Sequence, residues 1–83
     1  MLKRQELTDP TSCMSKAKDD EMTFVLLARD ASAPGAIREW CRDRVYTGKN
    51  KWDDAQIAEA MACADAMEKQ RASGALTTAP KPA

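Results

Sequence analysis

Apolar and polar positions alternate along the chain in a way that marks out short amphipathic segments separated by turn signals. Thr8-Asp9-Pro10 is the first such signal. Asp9 is expected to cap a helix whose first position is Pro10, where a missing N–H costs nothing. The polar stretch over 11–17 has room for one or two turns. Asp19-Asp20-Glu21 then offers a second cap, since acids in a first turn suit the helix dipole.

Residues 23–28 are the ambiguous piece. Thr23, Phe24 and Val25 suit a strand, whereas Leu26, Leu27 and Ala28 are good helix formers. A short apolar run cannot be typed by periodicity alone. The acids before it, and the lack of any other strand-like segment to pair with, favour a helix. The run is also far too short to cross a bilayer, so it must be covered by protein.

Residues 30–34 form the clearest break. Ser32 caps, Pro34 falls in the first turn, and the next helix is expected to reach about Tyr46 with Ile37, Trp40, Cys41 and Val45 as its apolar stripe. Gly48 ends it, in a position where a left-handed backbone is tolerated. The last helix is expected to start from Asp53 as N-cap, with Gln56 completing a capping box and Trp52 stapling onto Ile57. Ile57, Ala60, Met61, Ala64 and Met67 line one of its faces, with Cys63 on the flank. Ala58, Ala62 and Ala66 make a second, small-residue face. Ser73-Gly74 stop the helix.

The expected fold is therefore all-α, a compact assembly of three to four short helices around Phe24, Leu27, Ile37, Trp40, Ile57, Met61 and Met67. Residues 9–72 form the single helical domain, between a flexible arm over 1–8 and a disordered tail over 73–83. Large apolar side chains are scarce, and a chain of 83 residues buries only about 60% of its surface on folding. Self-association is a common remedy, so a homo-oligomer is expected.

Charge narrows the function classes. Thirteen Lys and Arg balance thirteen Asp and Glu, which argues against a generally basic nucleic-acid binder. Between positions 29 and 51 the basic residues Arg29, Arg38, Arg42, Arg44, Lys49 and Lys51 outnumber Asp30, Glu39 and Asp43. That local excess reads as a solvated helix face, or as a patch for an anion or an acidic partner. The three cysteines, Cys13, Cys41 and Cys63, are widely spaced and odd in number. With no secretory leader at Met1-Leu2-Lys3-Arg4, reduced thiols in the cytoplasm are expected. No histidine is present, so neither a zinc site nor a Ser or Cys nucleophile has its usual partner. No metal or other cofactor is expected, and an enzyme is not.

Cys13, Lys16 and Asp20 lie beside the apolar run. Their bland role is helix capping and a surface Lys–Asp pair, with Cys13 as a small buried hydrophobe. The functional alternative is a ligand site in which Lys16 joins Arg29, Arg38 and Arg42 around phosphates. Helix N-termini at Glu21 and Ala33 would then add N–H donors, with Gly35 permitting close approach.

Ser12-Cys13, Lys16-Ala17 and Asp19-Asp20-Glu21, followed by Phe24-Val25-Leu26, Ala28, Asp30 and Ala33-Pro34, carry a likeness. It continues through Trp40 into Glu59-Ala60 and Cys63-Ala64-Asp65-Ala66-Met67, and so spans most of the chain. The pattern resembles a family of small proteins of proteobacterial phages, prophages and mobile elements. It departs from that family at Met22, where proline is usual. The resemblance supplies a phage context and no assigned activity. Together with the lack of a catalytic set and the local Arg/Lys excess, that context leads to the expectation of a non-enzymatic accessory protein that inhibits host defence by stoichiometric binding of a nucleotide signal or a defence protein. A DNA-associated regulatory or structural protein is the alternative, and a small enzyme using Cys13 or the carboxylates of Asp19, Asp20 and Glu21 is a third.

Overall fold

A computed structural model of the chain describes residues 1–74. They are all-helical, with α1 over Lys3–Thr8, α2 over Cys13–Lys16, α3 over Ala33–Tyr46 and α4 over Ala55–Ala72, and no strand among the described residues. Two helix pairs make the fold, α1 on α2 and the longer α3 on α4.

The first pair departs from the sequence reading. Residues 3–8 form a helix where a flexible arm was expected, because Gln5 caps it locally. Its Oε1 accepts the Leu2 N–H at 2.8 Å. Asp9 ends α1 rather than starting a helix at Pro10. Its carboxylate accepts the N–H and hydroxyl of Thr11 at 2.8 and 2.7 Å, an Asx turn that also holds its pKa below the ordinary value. Ser12 is the cap of α2. Its buried hydroxyl donates to the Glu6 carbonyl at 2.6 Å and accepts the Ser15 N–H at 3.0 Å, which ties α2 to α1.

Residues 22–27 are not helical, contrary to the expectation for 23–28, and they run without turn or bend. Asp19, Asp20 and Glu21 close a turn instead of opening a helix. Glu21 donates its N–H to the Lys18 carbonyl, and its carboxylate accepts the Lys18 N–H, both at 3.0 Å. Beyond that closed turn Thr23, Phe24 and Val25, all of modest helix propensity, have nothing to nucleate them.

α3 starts where expected, although the Ser32 hydroxyl makes no capping bond. Asp30 does that work, its carboxylate accepting the Ser32 N–H at 2.8 Å and its carbonyl the Ala33 N–H at 3.0 Å. Gly48, at φ +77°, closes the helix. Lys49 donates to the Arg44 carbonyl across it, the six-to-one bond of a Schellman ending. α4 begins one residue later than expected, with Asp54 rather than Asp53 as N-cap. Its carboxylate is turned back, accepting the Lys51 N–H at 2.9 Å and the Asn50 amide at 3.0 Å. Asn50 in turn accepts from Arg44 Nε at 2.7 Å, so one side-chain amide joins the end of α3 to the start of α4. α4 ends at Ala72, with Gly74 at φ +78° just beyond. The tail over 75–83 lies outside the described residues.

The core sits between α3 and α4. Ala33, Cys41, Ile57 and Ala64 are fully buried, while Ile37, Val45, Ala60, Met61 and Met67 are half-buried. The stripe expected on α4 is thus the one that packs. Three expected core residues are not covered: Phe24 is 88% exposed, Leu27 47% and Trp40 40%. Phe24 and Leu27 lost their place with the helix that was to carry them. Trp40 lies at the edge of the pair with the Arg44 guanidinium 5.3 Å from its ring centroid, a cation–π contact. No helix of the described residues is long and apolar enough to cross a membrane.

Candidate functional site

The six residues expected to bind a ligand fall in different places. Cys13 opens α2 and Lys16 closes it. Both are exposed and share a shallow depression of about 310 Å³ with Ala17, Glu21, Met22 and Thr23. Cys13 is therefore not the small buried hydrophobe that its bland role required. Asp20 is exposed on the turn that follows. Neither it nor Arg29, Arg38 or Arg42 lines the depression.

Three of the arginines, Arg38, Arg42 and Arg44, are engaged, whereas Arg29 makes no ion pair among the described residues. Arg38 donates to Asp65 at 2.7 Å and to Glu68 at 2.5 Å on α4. Those two bonds, to Glu68 first, raise its pKa further above an already high value, and the bond to Glu68 holds that carboxyl below its ordinary value. Arg42 pairs with Glu39 one turn away at 2.7 Å. Arg44 is held by Asn50 and Trp40. A phosphate would have to displace existing carboxylate partners to recruit Arg38 or Arg42, which leaves Arg29, Lys49 and Lys51, besides the Asn50-bound Arg44, as the cations of that stretch without an ion pair among the described residues.

A larger site was missed by sequence reasoning. α1, the non-helical segment over 25–29 and α4 enclose a groove of about 770 Å³. Leu2 at the N-cap of α1 and Leu7 within it, Met14 of α2, Val25 and Leu27 of the segment, and Met67 of α4 give it an apolar floor and walls. Lys3, Glu6 and Arg29 stand among its lining residues as the charged members. The N-terminal ammonium lies 3.8 Å from Cys63 Sγ, which brings the start of the described chain to α4 at this groove. The sequence held one partial signal, an apolar run too rich to be left uncovered. Leu2 and Leu7 gave none, because a six-residue helix shows no period.

The cysteines differ in setting. Cys41 is fully buried between α3 and α4, and burial raises its thiol pKa. Cys63 is half-buried and Cys13 exposed, and all three are free thiols. Among the described residues no group of three or more Cys, Asp or Glu side chains is placed to hold a metal ion.

Comparison with protein-family models, curated proteins and solved structures finds no match for this chain.

Proposed function

We propose that this chain is a non-enzymatic binding protein of phage type, acting in the bacterial cytoplasm by sitting stoichiometrically on a host defence protein. The observation that carries the reading is a mismatch of burial. Among the described residues the fully buried apolar core is Ala33, Cys41, Ile57 and Ala64, with Pro34 buried beside them, while eleven large apolar side chains are exposed. Several of these, Leu2, Leu7, Met14, Val25 and Leu27, converge on one groove. A contiguous apolar groove with charges at its margin is the kind of surface that takes an amphipathic helix of a partner. The phage context comes from the resemblance of the Ser12-to-Met67 pattern.

The same geometry favours a protein target over a nucleotide signal, since Arg38 and Arg42 already hold carboxylates. It also speaks against duplex DNA, for which free, aligned cations are needed. The experiment is a thermal-shift screen with cyclic di- and trinucleotides and ADP-ribose derivatives, alongside phage plating on hosts that carry defined defence systems. A ligand that binds only the native state raises the midpoint through RT ln(1 + [L]/Kd). The expected result is no shift with any nucleotide, restored plating on at least one host, and loss of that restoration in Leu7→Glu. A saturable nucleotide shift would replace the protein target with a signal, and no restored plating on any host would remove the anti-defence role.

A further inference from the structure

Residues 22–27 have a second property besides exposed apolar side chains. Among the described residues, none of the backbone N–H and C=O groups from Met22 to Leu26 takes part in a hydrogen bond, and only the Leu27 carbonyl does, accepting from Asp30. Six consecutive residues thus run without turn or bend, all but Leu26 exposed, with their main chain largely open, and carry Thr23, Phe24 and Val25, which favour strands. Met22 is 95% exposed, Phe24 88% and Val25 59%. An open main chain with apolar side chains on both faces is the template of a missing strand.

We infer that this segment pairs with the same segment of a second copy of the chain, giving a two-stranded antiparallel ribbon across a two-fold axis. The choice of occupant rests on charge. The segment has an acidic N-terminal flank, Asp19-Asp20-Glu21, and a basic C-terminal flank at Arg29. Arg29 has no ion-pair partner among the described residues. Glu21 meets only the N–H of Lys18 in its own turn. An antiparallel pair centred on Val25 sets Glu21 of each copy opposite Arg29 of the other, Thr23 opposite Leu27, and Phe24 opposite Leu26. A parallel pair would instead place acids beside acids and Arg29 beside Arg29, which costs energy in a sheet. The acid–apolar–base order is self-complementary only when the two segments run antiparallel, and an isologous contact of that kind closes as a dimer. Apolar burial drives the association, and the backbone bonds and end charges set its register. The segment shares Val25, Leu27 and Arg29 with the lining of the groove, but the pairing rests on its main chain and end charges and not on what the groove binds.

The test is sedimentation equilibrium across micromolar concentrations, at low and at moderate salt. The wild type is expected to be a dimer, and a monomer throughout would overturn the inference. Val25→Pro removes the central N–H and should give a monomer whose 222 nm helical signal is retained, because α3 begins eight residues later. A dimeric Val25→Pro protein would also overturn it. Glu21→Lys and Arg29→Glu should each weaken the dimer at least tenfold, and the two changes together should restore it. Failure of that rescue would rule out the register without relying on proline. Ala62→Arg, on the exposed small-residue face of α4, should leave the dimer intact. Dissociation by that change would move the interface to α4.

Discussion

Arg38 on α3 holds Glu68 on α4, thirty residues away, with its guanidinium nitrogen 2.5 Å from the carboxylate, and the same nitrogen reaches Asp65 at 2.7 Å. Asp65 and Glu68 are three apart, so both point from one face of α4. One cation therefore bridges α3 to two positions on α4.

Acid should weaken the fold in a defined window. Glu68 is held below its ordinary 4.5 chiefly by Arg38, and Asp54 and Asp9 are held below 3.8 by hydrogen bonds from residues 50–51 and from Thr11. Depressed carboxylates contribute stability that is fully present above these unfolded values and is lost as pH falls through the lower folded ones. Melting temperature should be level between pH 5 and 7, as far as these groups are concerned, and drop progressively below about 4.5. Arg38→Gln should flatten the Glu68 part of that decline. An acid limb unchanged in the variant would show that the pair does not form in solution.

Two core substitutions should separate true burial from edge contact. Ile57 is fully buried, so Ile57→Ala should cost about 2–5 kcal/mol. That is a large part of the whole stability of so small a domain, about 4–12 kcal/mol. Trp40 is 40% exposed and leans on Arg44. Trp40→Ala should therefore cost only about 1–2 kcal/mol, below the range for a buried ring. Denaturant midpoints of the two variants give the comparison directly, and a reversed order would mean that Trp40 is covered in solution.

What was legible in the sequence follows from where the signals are local. Pro34, Gly48 and the spacing of Ile57, Met61 and Ala64 act within a turn or two, and the α3–α4 pair appears much as they dictate. The start of α4 slipped by one residue because Asp53 and Asp54 are both competent caps, and the choice was made by Asn50 reaching across from the loop. Residues 22–27 were misread because the same acids that cap a helix can also close a turn, as Glu21 does on Lys18. The candidate site failed for a related reason. Spacing told that Arg38 and Arg42 share a flank of α3, but not that Asp65, Glu68 and Glu39 would meet them.

Thiol reactivity should rank the cysteines by setting. Cys13 is exposed, Cys63 half-buried, and Cys41 buried with a raised pKa, so its thiolate is scarce at neutral pH. An alkylating reagent at pH 7.5 should label Cys13 first and Cys63 more slowly, with Cys41 labelled only on unfolding. Mass spectrometry of a labelling time course reads the order. Rapid labelling of Cys41 in the native protein would mean that α3 and α4 part easily.

Two glycines should respond to alanine with opposite signs. Gly48 sits at φ +77° with nothing within 4 Å of the position a Cβ would take. The cost of Gly48→Ala is then purely conformational, since an L-residue in the left-handed region is disfavoured by about 1 kcal/mol. It should also loosen the Lys49–Arg44 bond that depends on that turn. Gly35 lies in the first turn of α3, at ordinary backbone angles, and its Cβ space is likewise empty. Gly35→Ala restricts the unfolded chain without straining the folded one, so it should stabilise the protein by about 0.5 kcal/mol. Because steric contact is absent at both positions, thermal melts of the two variants isolate the backbone effect. Destabilisation by Gly35→Ala would point to a neighbour approaching that turn in solution, the close approach that a ligand at the α3 N-terminus would require.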